Sequence, residues 1–275
     1  MSFRTIEMVV PGILTSDGAG VNLRRIIGSP QLNMLDPFLL LDEFGSNNPE
    51  DYICGFPPHP HRGFETITYM LNGKFHHKDS TRNEGYLTDG SVQWMTAGRG
   101  VIHSEMPEQT DGLVRGFQLW LNLPKNKKMI PPYYKDIPAV NIPRVEFPGG
   151  ITKVIAGKFM GVKGPGQPKT GMFYYDIKLQ SQKELYIPII DSWNAFFFVY
   201  EGTIIINKTV ERDQLAVLNI KGGCLLKAGG LGAQFIIVAG KPLNEPVARG
   251  GPFVMNTREE IMQAINDYKN GILVK

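Results

Sequence analysis

Between residues 64 and 240 the chain alternates short runs of β-branched and aromatic residues with Gly, Pro, Asn and Asp. The runs "ETITYML", "VQWMTA", "GFQLWLNL", "MFYYDIKL", "AFFFVYEGTIIIN", "QLAVLNI" and "AQFIIVAG" are all of this kind. Side chains of this type suit a pleated, half-buried surface. The 31 Gly and 20 Pro of the chain supply its turns and interrupt helices. Many short strands between turn residues predict an all-β fold, a sandwich or a barrel. Helical periodicity is confined to residues 257–270. There Thr257 and Glu260 match a capping box, and Ile261, Ala264, Ile265 and Tyr268 form an apolar stripe. A short C-terminal helix docked on the strands is therefore predicted.

At 275 residues the chain has room for two domains. The Pro/Lys-rich passage 124–138, "PKNKKMIPPYYKDIP", separates two strand-rich halves and is the expected linker. This predicts domains of residues 1–134 and 135–275, with the helix in the second. "YMLNGKFHH" and "VYEGTIII" each carry a strand to a Gly that opens another, so the halves read as two copies of one β-fold.

A formal net charge of +3, with no basic face, argues against a nucleic-acid binder. The densest basic run, "KNKK" at Lys125–Lys128, reads as a solvated loop. Two distant cysteines, Cys54 and Cys224, make no disulfide framework and fit a reducing compartment. No signal-peptide pattern and no membrane-spanning apolar window is visible. A monomer in the cytoplasm, the nucleus or both is expected.

All five histidines fall within 45 residues: His59, His61, His76, His77 and His103. A strand puts residues i and i+2 on one face, about 6.6–6.8 Å apart. Pro60 disfavours helix before it, so His59 and His61 should point the same way. His103 and Glu105 repeat that spacing in a second segment. Two adjacent strands would then bring three imidazoles and one carboxylate to one point, a donor set for Fe, Ni, Mn, Cu or Zn. Glu65 has the parity of His61 and competes with Glu105 as the carboxylate, unless Gly63 carries a bulge. Of the adjacent His76 and His77, only one can face the centre. His77 is the candidate for orienting a ligand, and His76 reads as a surface residue. Arg62 and Arg99 are candidates to meet an anionic substrate or to pair with a carboxylate. Trp120 reads as core.

These segments resemble the cupin signature. His59, His61, Glu65 and Gly73 match its first motif, and Gly90, Gly98 and His103 match its second loosely, with Thr96 where Pro is usual. Together with "LDPFLLLDEF", "VQWMTAGRGVIHSEMP", "GFQLWLNLP" and "GPFVMNTREEI", the stretch "GFPPHPHRGFETITYML" resembles the pirin family from about Leu23 to Tyr268. The resemblance implies a bicupin, two jelly-roll-like antiparallel β-barrels packed together. It implies one Fe(2+) in the N-terminal barrel held by His59, His61, His103 and Glu105, and no metal in the second. Two functions are implied. One is quercetin 2,3-dioxygenase activity, in which O2 opens the flavonol heterocycle with loss of carbon monoxide. There Glu105, or alternatively Glu65, would act as base. The other is a non-enzymatic, iron- and redox-sensing co-regulator that binds NF-kappa-B-type transcription factors.

Overall fold

The computed structural model describes residues 3–275. Nearly all its regular structure is antiparallel strand, and the single α-helix among the described residues is Arg258–Lys269. No helix among them is long and apolar enough to cross a membrane.

The strands fall into two compact units. One comprises residues 13–28, 38–139 and 243–275 and carries every histidine. The other comprises residues 1–12, 29–37 and 140–242. The expected halves, 1–134 and 135–275, are thus crossed in both directions. The strand Ile6–Pro11 pairs with Gln214–Leu218 in the second unit. The C-terminal helix lies in the histidine unit instead of the second half. There Ile261 and Ala264 join a cluster with Phe253, Met255 and Leu273. Its capping box is present as expected: Thr257 accepts from the Glu260 amide, and the Glu260 carboxylate accepts from the Thr257 amide.

In the histidine unit, a seven-stranded sheet runs in the order Tyr133–Ile137, Val92–Thr96, Phe64–Asn72, Val114–Asn122, Phe38–Ser46, Val21–Ile27, Ile13–Asp17. A four-stranded sheet runs Phe56–His61, Val101–Pro107, Phe75–Asp79, Glu84–Leu87. Neither order closes on itself, so closed barrels are not what the hydrogen bonding describes. One face of the larger sheet looks onto the smaller. Thr68 and Gln118, cross-strand partners in the first, both donate to Glu105 of the second.

The expected linker, 124–138, belongs to this unit. Tyr133–Ile137 is an edge strand of the large sheet. The run "KNKK" is no solvated loop throughout. Lys128 is 1% exposed, and its Nζ donates to Gly63 O, Asn122 Oδ1 and Val254 O at 2.8–2.9 Å. Three oxygen acceptors satisfy the three donors of an ammonium, which is what lets it be buried.

The second unit is built on a nine-stranded sheet whose centre is Asn194–Ile205, Cys224–Gly240 and Met172–Leu179. Its hydrophobic core runs from Ile6 and Val154 to Phe197, Phe235 and Ile237, with Arg4, Thr152 and Asp176 among the buried polar groups of the unit.

Candidate metal centre

The strand Phe56–His61 carries both His59 and His61, and its neighbour Val101–Pro107 carries His103. His103 is the direct cross-strand partner of His59. One nitrogen from each of His59, His61 and His103 can be chosen so that all three lie within 4.8 Å of one another. His61 and His103 are buried and His59 is half-buried.

The hydrogen bonds fix where the lone pairs point. His59 Nδ1 lies 2.8 Å from Pro57 O, and His61 Nδ1 lies 3.3 Å from Pro252 O. A carbonyl only accepts, so both Nδ1 atoms carry the proton and both Nε2 atoms present lone pairs. Those two Nε2 atoms are 3.0 Å apart. Two lone pairs converging at that distance repel unless a cation lies between them. His103 adds a second sign: neither of its buried ring nitrogens has a protein partner. A buried polar atom left in that state costs about 1–3 kcal/mol. Burial first, then His59, pushes His61 down to about 3, against the Pro252 hydrogen bond. Burial and the neighbouring histidines also hold His103 well below its ordinary value. Both rings are therefore neutral near pH 7, the state in which imidazole ligates a metal.

Glu105 is buried on the same strand, two residues beyond His103, but lies outside the three-histidine group. A register shift falls between them: His103 pairs with His59, while Glu105 pairs with Phe56. Its carboxylate accepts from Thr68 Oγ1 at 2.9 Å and from Gln118 Nε2 at 3.0 Å. Gln118 Oε1 in turn accepts from Trp120 Nε1 at 3.1 Å.

Glu65 lies outside the three-histidine group, and Gly63 is the point at which the strand parity fails. Gly63 stands between the strands at φ +91°, a left-handed conformation that breaks the alternation. Phe64 then faces His61, with ring centroids 5.0 Å apart, and Glu65 faces away. There it accepts from Thr96 Oγ1 at 2.7 Å and Trp94 Nε1 at 3.2 Å, fully buried.

His77 is fully buried. Its ring stacks on Tyr134 at 4.5 Å and lies 5.3 Å from that of His103, and its Nε2 is 3.4 Å from Asp79 Oδ2. His76 points the other way, between Glu84 and Glu108. Arg62 makes no approach to a substrate: its buried guanidinium pairs with Asp267 at 2.7 Å and donates to Arg99 O.

A cavity of about 660 Å³ opens beside the centre, lined by His59 and His61 together with Phe56, Gln118, Trp120 and Arg249, among others. Trp120 was expected in the core. It packs instead on Phe64 at 4.3 Å and edge-on to His61 at 5.2 Å. A sequence signal existed. Gln118 and Trp120 share one parity in Val114–Asn122, against Phe117, Leu119 and Leu121 on the other. Pro252 and Arg249 gave no signal, because the hairpin Ala248–Gly250/Phe253–Met255 has strands of three residues.

The pirin family model matches residues 20–121, and the model of the pirin C-terminal cupin domain matches residues 174–274. A Pseudomonas aeruginosa protein, provisionally named a quercetin 2,3-dioxygenase, is 46% identical over 98% of both chains. Pirin of Rattus norvegicus is 40% identical, covering 93% of this chain and 88% of its own. A crystal structure described as quercetin 2,3-dioxygenase from Acinetobacter baumannii superposes with a TM-score of 0.92 at 32% identity, covering all of both chains.

Proposed function

The chain belongs to the pirin family, and on that premise we propose that its three-histidine centre holds one divalent metal and serves the oxidative opening of a flavonol by O2. The observation that carries this is the convergence of His59 and His61 Nε2 beside a His103 with two unpartnered nitrogens, at the wall of a ligand-sized cavity. His59, His61 and His103 would hold the metal, with Glu105 as the fourth ligand. The donor set of imidazole plus carboxylate favours Fe(2+) over a soft-ligand metal. We read the two units as the two cupin repeats of the family, with metal in the histidine-bearing one. The other carries no histidine.

Such a metal, when bound, lowers the pKa of a coordinated hydroxyl and supplies open positions for oxygen chemistry. The chain does the rest. The indole of Trp120 offers a flat wall for an aromatic ring system. Glu105 would take the flavonol hydroxyl proton on the carboxylate oxygen it does not give to the metal, and the donors Thr68 and Gln118 hold that carboxylate in one orientation. Glu65 has no part in this step. His77 supports the His103 side of the centre through its packing between Tyr134 and Asp79. Metal analysis of protein from its native source, followed by O2 uptake with quercetin, tests the reading. One metal per chain and flavonol-dependent O2 uptake are expected. Uptake no greater than that of H61A rules the enzyme out.

A further inference from the structure

Two arginines stand in the cavity wall, and their charges are met differently. Arg25 is saturated. Its Nε and Nη2 donate to both oxygens of Asp42, at 3.0 and 2.7 Å, and Nη2 also reaches Asp17 at 2.7 Å. Arg249 has no such partner. Its Nη2 donates to Leu39 O, and among the described residues no carboxylate pairs with it. It is exposed.

The hairpin that carries Arg249 is also the one that braces the centre. Arg249 lies opposite Val254 in the short ladder Ala248–Gly250/Phe253–Met255. In the turn of this hairpin Pro252 O receives the Nδ1 proton of His61, and in its second strand Val254 O receives Lys128 Nζ. One fixed piece of backbone therefore sets both an imidazole of the centre and a cation in the same cavity. The planar fork of a guanidinium matches an oxyanion with two parallel donors. The wall also offers flat apolar surface in Trp120 and Phe56, beside Asp17 and Asp42, the two carboxylates that pair with Arg25. A ligand with aromatic rings and one oxyanionic group would satisfy both features.

We propose that Arg249 determines substrate specificity, by pairing with an oxyanionic substituent carried by a flavonol-class ligand whose hydroxyl faces the histidines. This deepens the flavonol reading above and rests on it. Sulfate and carboxylate are the two sources of that chemistry, and a flavonol sulfate and a flavonol glucuronide separate them.

The test is calorimetric titration of metal-loaded protein with quercetin, its sulfate and its glucuronide. The wild type should bind at least one conjugate about tenfold more tightly than quercetin, as one charge-assisted pair allows. In R249Q the ratio of conjugate to quercetin affinity should fall to about one, with R249K between, because it keeps charge without the fork. Each ratio compares two ligands on one protein, so partial loss of fold cancels. A wild-type ratio near one for both conjugates, or a ratio unchanged in R249Q, overturns the proposal and leaves the flavonol reading standing. No binding of any flavonol overturns both.

Discussion

His103 is buried with two ring nitrogens that no protein group satisfies, a cost to the metal-free protein that a bound metal would relieve. Two opposite effects of one substitution follow. His103→Leu should weaken metal binding by more than about a hundredfold, read by metal titration, since losing even an outer-shell partner costs 10–100-fold. The same change should stabilise the metal-free protein by about 1–3 kcal/mol, read from urea midpoints, because it removes orphaned polar atoms. If the histidine were merely structural, the apo protein would lose stability. Lys128 gives a second residue-level expectation. Lys128→Met removes the donor shared by Gly63 O, Asn122 Oδ1 and Val254 O, and should cost about 2–4 kcal/mol. Burial holds its ammonium down to about 8 from 10.5. Between those values the unfolded chain binds more protons than the folded one, so this residue makes stability rise with pH. The gap between wild type and K128M should therefore widen from pH 8 to pH 10. Sequence reasoning reached the histidines because strand parity and a proline decide where His59 and His61 point. It left Glu65 and Glu105 open as the carboxylate, because the choice turns on whether the alternation fails at Gly63, whose φ of +91° spacing does not give.

At the scale of elements, the C-terminal helix was legible in full, since capping box and stripe are local signals. What it docks on was not. Arg62, directly after the ligand His61, pairs with Asp267 of the helix at 2.7 Å, with side chains 5% and 15% exposed. Asp267→Ala leaves that guanidinium buried without its partner and should cost about 3 kcal/mol. Thr257→Ala removes only the cap and should cost about 1 kcal/mol. Urea denaturation of both variants checks the order, and a larger loss for T257A would refute this account of the helix. Arg62 could not be assigned from sequence, because its partner lies 205 residues away. Trp120 was legible in principle. Its strand alternates two classes of side chain, and the half-buried class lines the cavity.

At the scale of the whole chain, the two units exchange segments, and no composition shift marks the exchange. Residues 3–12 pack with the second unit and 243–275 with the histidine unit. The apparent linker is instead an edge strand. A fragment of residues 1–134 holds every proposed ligand but lacks Pro252, Val254 and Asp267. It should therefore fail to bind a stoichiometric metal, while the full chain binds one. Metal analysis of both decides this, and a fragment that binds one metal would show that the hairpin is dispensable.

The bond from His61 to Pro252 spans 191 residues. On a ribosome adding about 5–20 residues per second, Pro252 is polymerised on the order of 10–40 s after His61. Throughout that interval the nascent chain carries the histidines without their brace. On the proposed metal reading, the braced centre can form only once that hairpin has been polymerised and its turn reaches the strand that carries His61.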